Sequence, residues 1–454
     1  MSNGIQDVES LCIDSKKVSK NAHFFVRKKT KMEYIQEAID KGAKCLVTEK
    51  KLPFDIEQII VKDIEKEIAQ VASAYYNHPS KSLFLIGITG TCGKTTTSYL
   101  IEHIFNHLHF PLGLMGSIEK KSTLCTPSGL TTPDAIQINQ FLSQALNDHK
   151  RGVVMEVSSH ALDQKRVYGL DFDSALFTNF SHEHLDYHES LEHYFNAKAL
   201  LFLMPIKHAI LNADDPYIIS LVPKIKCEII TFGMEQKATL FAKNIQTSLN
   251  GTQFELVFGD CSFQIKTPLI GKINVYNILA AAATALGAGL SIEQIAYAIP
   301  SFEKVRGRLE KIGNVFIDHA HKPDALEKVL VLLKEHTQGR LICVFGCGGQ
   351  RDCAKRPLMG KIASLYADLV VITSDNPRNE DPRDICMAIA QGCTTKNYLI
   401  EIDRKKAIHF ALEKAHPEDT ILIAGKGHET YQTIKGQRLL FEDQQIVKTY
   451  LNYG

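Results

Sequence analysis

The stretch GITGTCGKTTT, residues 87–97, follows the apolar run LFLI and opens a helix-compatible segment. Glycines at 87, 90 and 93 let backbone N–H groups wrap an anion. Lys94 brings a point charge to the outer phosphates, and the hydroxyl of Thr95 is placed to hold a magnesium ion. Thr96 extends the same turn. Strict GxxxxGK[ST] spacing needs glycine at 88, where Ile88 stands, so the match is to the displaced spacing GxxGxxGKT. A plain glycine turn before a helix would not require lysine and threonine directly after it.

Working outward, short apolar runs alternate with helix-length segments. Residues 1–82 contain HFFV, KCLVT and QIIV and end at the punctuation NHPSKS. From 83 the runs LFLIGIT, GVVMEV, SALFTNF and HAILN alternate with helical segments, the pattern of a parallel sheet flanked by helices. A small β excursion is expected near 238–268, followed by the helix NILAAAATALGAGL. After 303 the alternation restarts with NVFIDH, RLICVFG, DLVVITS and DTILIAG. The expected architecture is α/β in three domains, 1–82, 83–302 and 303–454, a count that fits 454 residues.

Charged residues make up 23% of the chain and the net charge is +1, which favours neither nucleic acid nor an anionic membrane as partner. The N-terminus lacks the basic and apolar regions of a signal peptide, and the apolar run 278–290 is too short to span a bilayer. A cytoplasmic enzyme of small molecules, monomeric, is expected. Eleven scattered cysteines read as reduced thiols. Cys343, Cys347 and Cys353 cluster near a glycine-rich turn, but Cys343 lies in a strand-like run and no CxxC pair accompanies them, so metal binding is not expected there.

Glu156 stands at the C-terminal end of a strand, where open α/β sheets place ligands, and could hold magnesium opposite Thr95. His184 ends another strand, and Lys198 lies in the following helix. The pair HEH at 182–184 invites a zinc reading, which would want more Cys or His at fixed spacing. His182 and His188 are expected to face solvent or to stand behind the ligands.

The series GITGTCGKTTT, LTTPD, MEVSSHALDQKRV, FTNFSHEHLDYH, NAKALLF, NVYNILAA, RGRLE, IDHAHKPDALEKVL, VFGCGGQRDCAKRPLMG, TSDNPRNEDP and AGKGHETYQ resembles the Mur ligase family, in that family's order, over residues 83–442. The resemblance implies a small N-terminal α/β domain for a uridine nucleotide, a central P-loop parallel-sheet ATPase domain and a C-terminal Rossmann-like α/β domain for an incoming amino acid. Within the family it points to members that add meso-diaminopimelate to UDP-N-acetylmuramoyl-L-alanyl-D-glutamate in peptidoglycan synthesis. ATP would phosphorylate a substrate carboxylate, and an amine would then displace the phosphate. Two anions must meet for this, which accounts for a lysine and for two Mg²⁺ ions.

By that similarity Thr95 and Glu156 hold one magnesium, and Glu156, His184 and Lys198 the other. Lys198 would be modified by CO₂ to a carbamate, since an ammonium carries the wrong charge beside Mg²⁺. An unmodified lysine exposed on an amphipathic helix is the alternative. Gly90, Gly93, Lys94, Thr95, Thr96, Asn277, Arg308 and Asp318 would bind ATP: Asn277 the adenine, Arg308 the γ-phosphate, Asp318 the ribose. Ser15, Thr131, Thr132, Ser158, Gln164 and Arg166 would bind the UDP-muramoyl dipeptide. Arg351, Asp375, Asn376, Pro377, Arg378, Gly425 and Glu429 would bind diaminopimelate, with Arg378 receiving its distal carboxylate in a two-bond fork and Glu429 its ammonium.

Some positions depart from the family pattern. Cys92 replaces an asparagine, His182 and Glu183 an Arg-Asp pair, Gln350 an aspartate, and His319 and Lys322 alter DYAHTPD. The glycine-rich loop expected after HFFV is replaced by RKKTK at 27–31, which reads by default as a solvated charge run. Lysine in place of diaminopimelate, a folate-polyglutamylating ligase and a P-loop ATPase uncoupled from amide formation are the rival readings.

Overall fold

The computed structural model describes residues 9–181, 187–235 and 237–453. His182, Glu183 and His184 lie outside the described residues. Four parallel strands, β1 (Ser10–Cys12), β2 (Ala22–Phe25), β3 (Cys45–Thr48) and β4 (Glu57–Ile60), form the first sheet in sequence order.

A second sheet takes β5 (Phe84–Thr89), β6 (Leu112–Met115), β7 (Glu119–Lys121), β8 (Cys125–Pro127), β9 (Gly152–Glu156), β10 (Ser174–Phe177), β11 (His208–Asn212) and β12 (Glu228–Gly233). A meander follows, β13 (Leu240–Ser248), β14 (Gly251–Phe258) and β15 (Cys261–Thr267), giving eleven strands in the order β15-β14-β13-β12-β11-β10-β5-β9-β6-β7-β8. From β12 to β6 every pairing is parallel. The strands β5, β9 and β10 are buried along almost their whole length, as unbroken apolar runs such as GVVM require when helices cover both faces. The hairpin β7–β8 adds an antiparallel edge that the apolar pattern does not announce, since its residues are polar and half to fully exposed.

The third sheet has the order β16-β17-β21-β18-β19-β20, from β16 (Glu310–Ile312), β17 (Val315–Asp318), β18 (Leu341–Phe345), β19 (Leu369–Ile372), β20 (Tyr398–Ile400) and β21 (Thr420–Ala424). It is parallel except for β16–β17. A separate ribbon, β22 (Tyr431–Ile434) with β23 (Gln437–Leu440), follows it.

The chain thus has the α/β architecture of three sheets, and it divides into two compact units. Residues 1–244, 254–265 and 273–301 form one, and 245–253, 266–272 and 302–454 the other. The first two sheets share a unit because Ala135 and Ile136, on the helix Ala135–Asn147, join the apolar cluster of Ile64, Ile68 and Ala72. Asp134 caps that helix by accepting from the N–H groups of Ile136 and Gln137, both at 3.0 Å. Among the described residues no helix is long and apolar enough to cross a membrane.

Candidate active site

The loop between β5 and the helix Lys94–His107 lies at the carboxyl ends of the parallel strands, between neighbours β9 and β10. Gly90 and Gly93 have φ of +145° and +84°, and a Cβ built on them would stand 1.9 Å from Thr178 Oγ1 and 2.4 Å from Asn277 Oδ1. Only glycine fits at either position. Asn179 brackets the Cys92 peptide, accepting from its N–H at 2.9 Å and donating to its carbonyl at 3.0 Å, while Thr178 Oγ1 donates to the same carbonyl at 2.7 Å. The loop's shape is therefore held from β10, independent of the side chain at 92. Lys94 Nζ donates to the carbonyls of Gly90 (2.6 Å) and Thr91 (3.0 Å). Thr95 and Thr96 are buried at the first turn of the helix. Asn277, on the helix Lys272–Gly287, accepts from Thr97 Oγ1 at 3.2 Å and donates to Asn274 at 3.0 Å.

Glu156 is fully buried at the end of β9. Ser117 donates to both of its oxygens, from the backbone N–H to Oε1 (2.8 Å) and from the hydroxyl to Oε2 (2.9 Å). Ser117 Oγ also lies 3.0 Å from Thr131 Oγ1, and Thr132 Oγ1 donates to the Glu156 carbonyl at 2.9 Å. Thr132 Oγ1 accepts from the Ser158 N–H at 3.0 Å, and Ser158 caps the helix Ser159–Asp163. Arg166 donates to the Thr132 carbonyl at 2.6 Å and twice to Gln164 Oε1. Burial holds Arg166 below its ordinary range, with the nearby Arg27 acting in the same direction. Thr131, Thr132, Ser158, Gln164 and Arg166, 35 positions apart at the extremes, thus form one connected group around the Glu156 backbone.

Lys198 is 2% exposed and donates from Nζ to the Gly90 carbonyl at 2.8 Å, with the Tyr194 ring 4.5 Å away. It is not a surface lysine on an amphipathic helix, because the helix Leu191–Ala199 turns this side toward the P-loop. His188 is likewise fully buried rather than solvent-facing, its Nε2 3.0 Å from Ser159 Oγ, and burial holds its pKa below the ordinary value.

In the first sheet's domain, Ser15 donates to Glu37 at 2.6 Å and lines a cavity of about 340 Å³. Arg27, Lys29 and Thr30 of the RKKTK loop stand on its wall with Lys16, Phe24 and Tyr34. Arg27 also pairs with Glu65 at 3.1 Å, so this basic loop is only in part a solvated run.

In the second unit, Asp318 ends β17 and accepts from the Leu309 N–H at 2.7 Å. Burial raises its pKa, opposed by the adjacent Arg308 charge. His319 replaces the family tyrosine in a ring cluster, its centroid 4.6 Å from that of His321 and 4.9 Å from that of His428. Burial, before any neighbouring charge, depresses all three, His321 and His428 to about 4.

The motif DNPR and the loop 425–429 meet at one place. Asn376 donates to Glu429 Oε2 at 2.8 Å, and Thr433 N–H donates to Asn376 Oδ1 at 2.8 Å. Gly425, at φ +110°, lies 3.7 Å by its built Cβ from Asp375 Oδ2. Pro377 is buried, and its carbonyl crowds Gly349. Arg378, at φ +56°, donates from Nη1 to the Gly349 carbonyl at 2.7 Å. Arg351 is exposed on the neighbouring glycine turn, where Gln350 N–H donates to Glu380.

The sequence reading did not assign Ser117, Asn179 or Lys426. Ser117 stands in the turn after β6 and Asn179 just past β10, two strand ends on the ligand side of the sheet, which is the signal that points to them. Lys426 is quoted within AGKGHETYQ, and its burial cannot be read from that motif. Among the described residues no three of His, Cys, Asp or Glu are grouped to hold a metal. The Thr95 hydroxyl and the sequestered Glu156 carboxylate are the oxygen donors of the kind a hard cation takes, and the close-packed glycines leave backbone N–H groups to approach phosphate, so these residues fit Mg²⁺-nucleotide.

A glycine-cradled P-loop at the switch point of a parallel sheet, with a buried carboxylate on the adjacent strand, defines a P-loop nucleotide-binding α/β protein. The chain belongs to the Mur ligase family. The model of the Mur ligase middle domain matches residues 88–285, and that of the Mur ligase glutamate ligase domain residues 302–427. It is 42% identical to the UDP-N-acetylmuramoyl-L-alanyl-D-glutamate–2,6-diaminopimelate ligase of Aquifex aeolicus, covering 98% of this chain and 94% of that one. It is 39% identical to the protein of the same name from Caldanaerobacter subterraneus, over 98% and 95%. A solved structure of a ligase of that name superposes with a TM-score of 0.71 at 33% identity, covering 99% of this chain and 95% of the other.

Proposed function

We propose that this chain is an ATP-dependent ligase that joins meso-2,6-diaminopimelate to UDP-N-acetylmuramoyl-L-alanyl-D-glutamate in peptidoglycan synthesis. The observation that carries the substrate choice is the meeting of Arg378 and Glu429 on the two sides of Asn376: a guanidinium and a carboxylate held by one residue suit a ligand end that bears both a carboxylate and an ammonium. The relatives' names point the same way.

In this reading the domains run 1–82, 83–302 and 303–454, for the uridine nucleotide, ATP and the amino acid. Ser15 and the basic wall of its cavity serve the nucleotide end of the muramoyl substrate, and the group from Thr131 to Arg166 serves its peptide end. The D-glutamate γ-carboxylate attacks the γ-phosphorus of ATP, an acyl phosphate forms and ADP leaves. The amine of diaminopimelate then attacks the acyl carbon, the amide forms, the nitrogen sheds a proton and inorganic phosphate departs. Lys94 places its charge on the phosphates. Gly90, Gly93, Thr95 and Thr96 cradle them, Arg308 meets the γ-phosphate, Asn277 the adenine and Asp318 the ribose.

Two Mg²⁺ ions, when bound, supply the charge that lets two anions meet. Thr95 and Glu156 are assigned to one, and Glu156, His184 and a carbamate on Lys198 to the other. A carbamate keeps one N–H on Nζ, so the bond to the Gly90 carbonyl survives the modification while two oxygens are added. The remaining contacts, Arg351, Asp375, Pro377 and Gly425, shape the amino-acid site. The enzyme is inferred to act in the cytoplasm as a monomer. The test is phosphate release with the muramoyl dipeptide and each amino acid in turn: release with diaminopimelate and little with lysine supports the reading, and equal release with both, or release with neither, refutes it.

A further inference from the structure

Lys426 is the one lysine besides Lys198 among the largest fully buried side chains of the described residues, with 0% of its surface exposed. A buried ammonium is costly unless its charge is met. Here its Nζ lies 3.1 Å from Glu429 Oε2, 3.6 Å from Asp375 Oδ1 and 3.4 Å from Asn376 Oδ1. These are the acids and the amide that the proposed function assigns to diaminopimelate. With no exposed surface, Lys426 does not itself reach a ligand. Whatever it contributes passes through those three residues.

We propose that Lys426 is a positioning residue for the amino-acid substrate: it fixes Glu429 by one oxygen and balances one of the two carboxylates, so that the site offers a single negative charge to the distal ammonium. Glu429 Oε2 receives both Lys426 Nζ and Asn376 Nδ2. Among the described residues its Oε1 makes no hydrogen bond, and the side chain is 23% exposed. One edge of the carboxylate is therefore tied to the protein and the other is left for the ligand. Asp375 and Glu429 share the charge of Lys426; the buried Arg404, whose charge also reaches both acids, is itself paired with Asp443 by two bonds, at 2.9 and 2.8 Å. Without the lysine, two like charges would face each other across Asn376, and Glu429 Oε2 would lose one of the two groups that hold it.

The backbone anchors Lys426 independently, since its carbonyl lies 3.0 Å from His319 Nδ1 and the neighbouring Gly427 carbonyl accepts from Gln444 at 2.8 Å. Removing the side-chain charge therefore leaves the loop tied at two points. Methionine fills a similar volume without the ammonium.

The proposal rests on the reading of 375–378 and 425–429 as the amino-acid site, and the experiment separates the two. The full-length enzyme is assayed for phosphate release against diaminopimelate, and against hydroxylamine, a small nucleophile that traps the acyl phosphate without using this site. In Lys426→Met the KM for diaminopimelate is expected to rise on the order of 100-fold, with kcat at saturation and hydroxamate formation falling far less. In Lys426→Met/Glu429→Gln the KM is expected to rise far less over Glu429→Gln than the roughly 100-fold of the single change, because most of the lysine's effect passes through the glutamate and only its contacts with Asp375 and Asn376 remain to be lost. An unchanged KM in Lys426→Met, or losses that multiply in the double variant, overturns the proposal. Should Lys426→Met form no hydroxamate, Glu429→Gln decides alone, and an unaltered KM there overturns the proposal as well. A wild-type enzyme that forms hydroxamate but does not use diaminopimelate refutes the functional reading instead.

Discussion

Ser117 grips both oxygens of Glu156, one from its backbone N–H and one from its hydroxyl, across 39 positions of sequence. A Cβ on the preceding Gly116 would stand 2.4 Å from Glu156 Oε1, so the turn is pressed against the carboxylate. Glu156 is thereby fixed in orientation where a flexible acid would adapt. A carboxylate held this way is oriented before any partner arrives, as the proposed metal role would require.

Ser117→Ala removes the hydroxyl bond and keeps the N–H bond. Turnover is expected to fall by about 10-fold, the scale of one hydrogen bond to a charged group, with an increased requirement for Mg²⁺. Glu156→Ala should lose on the order of 10² to 10⁴. Magnesium titrations of kcat check both, and an unshifted titration in either variant removes the assigned role of Glu156.

Lys198→Ala is expected to abolish amide formation while leaving ATP binding measurable by calorimetry. If Lys198 carries the proposed carbamate, alanine removes its two oxygens, which neither the Gly90 carbonyl nor the Tyr194 ring beside Nζ can replace as an anion. Added short-chain carboxylic acids should restore part of the activity by occupying the space of the side chain. Full activity of the alanine variant with no acid present would show that no carbamate is needed.

Much of this site is written in the sequence because steric and charge requirements there are local. Gly90 and Gly93 are dictated by atoms of Thr178 and Asn277 closer than any Cβ allows, and Glu156 by the end of an unmistakable apolar strand. What the sequence hides is contact between distant segments. Nothing in MGSIE tells that Ser117 meets Glu156, and the burial of Lys198 and His188 depends on which side of a short helix or turn faces the P-loop. The joining of the first two sheets into one unit likewise depends on Ala135 and Ile136, ordinary apolar residues of an amphipathic helix. The replacement of asparagine by Cys92 looks severe in one dimension and mild in three, because Asn179 holds the peptide at that point.

Stability of the second unit should carry a signature of Asp419 at low pH. Burial by itself would raise this carboxyl, but the Arg340 guanidinium and the N–H groups of His416 and Arg340 outweigh it and draw the pKa to about 2, from an ordinary 3.8. A depressed folded pKa contributes stability that is present above the unfolded value and is lost as pH falls through the folded one. Asp419→Asn should therefore lower Tm at pH 7, and the gap to wild type should narrow between pH 4 and 2. A gap independent of pH over that window would mean that the charge of Asp419 is not what stabilises the turn.

Arg378 makes the most discriminating prediction, because diaminopimelate and lysine share the amine nucleophile and differ at one distant carboxylate. Its backbone sits at φ +56°, a conformation disfavoured for arginine and held here by two bonds, from its N–H to the Thr433 carbonyl at 2.9 Å and from the Lys435 N–H to its own carbonyl at 2.6 Å. Nη1 is spent on the Gly349 carbonyl, so the guanidinium is oriented before any ligand binds. Among the described residues the Nε and Nη2 groups make no hydrogen bond, which leaves one edge of the fork for a carboxylate. Arg378→Ala should reduce kcat/KM for diaminopimelate by about 2 to 4 kcal/mol of transition-state stabilisation, the scale for losing a desolvated charged pair. Lysine never makes that bond and should lose far less. The ratio of kcat/KM for the two amino acids should therefore collapse toward unity in the variant, and a ratio equal to that of the wild type rules out Arg378 as the selector.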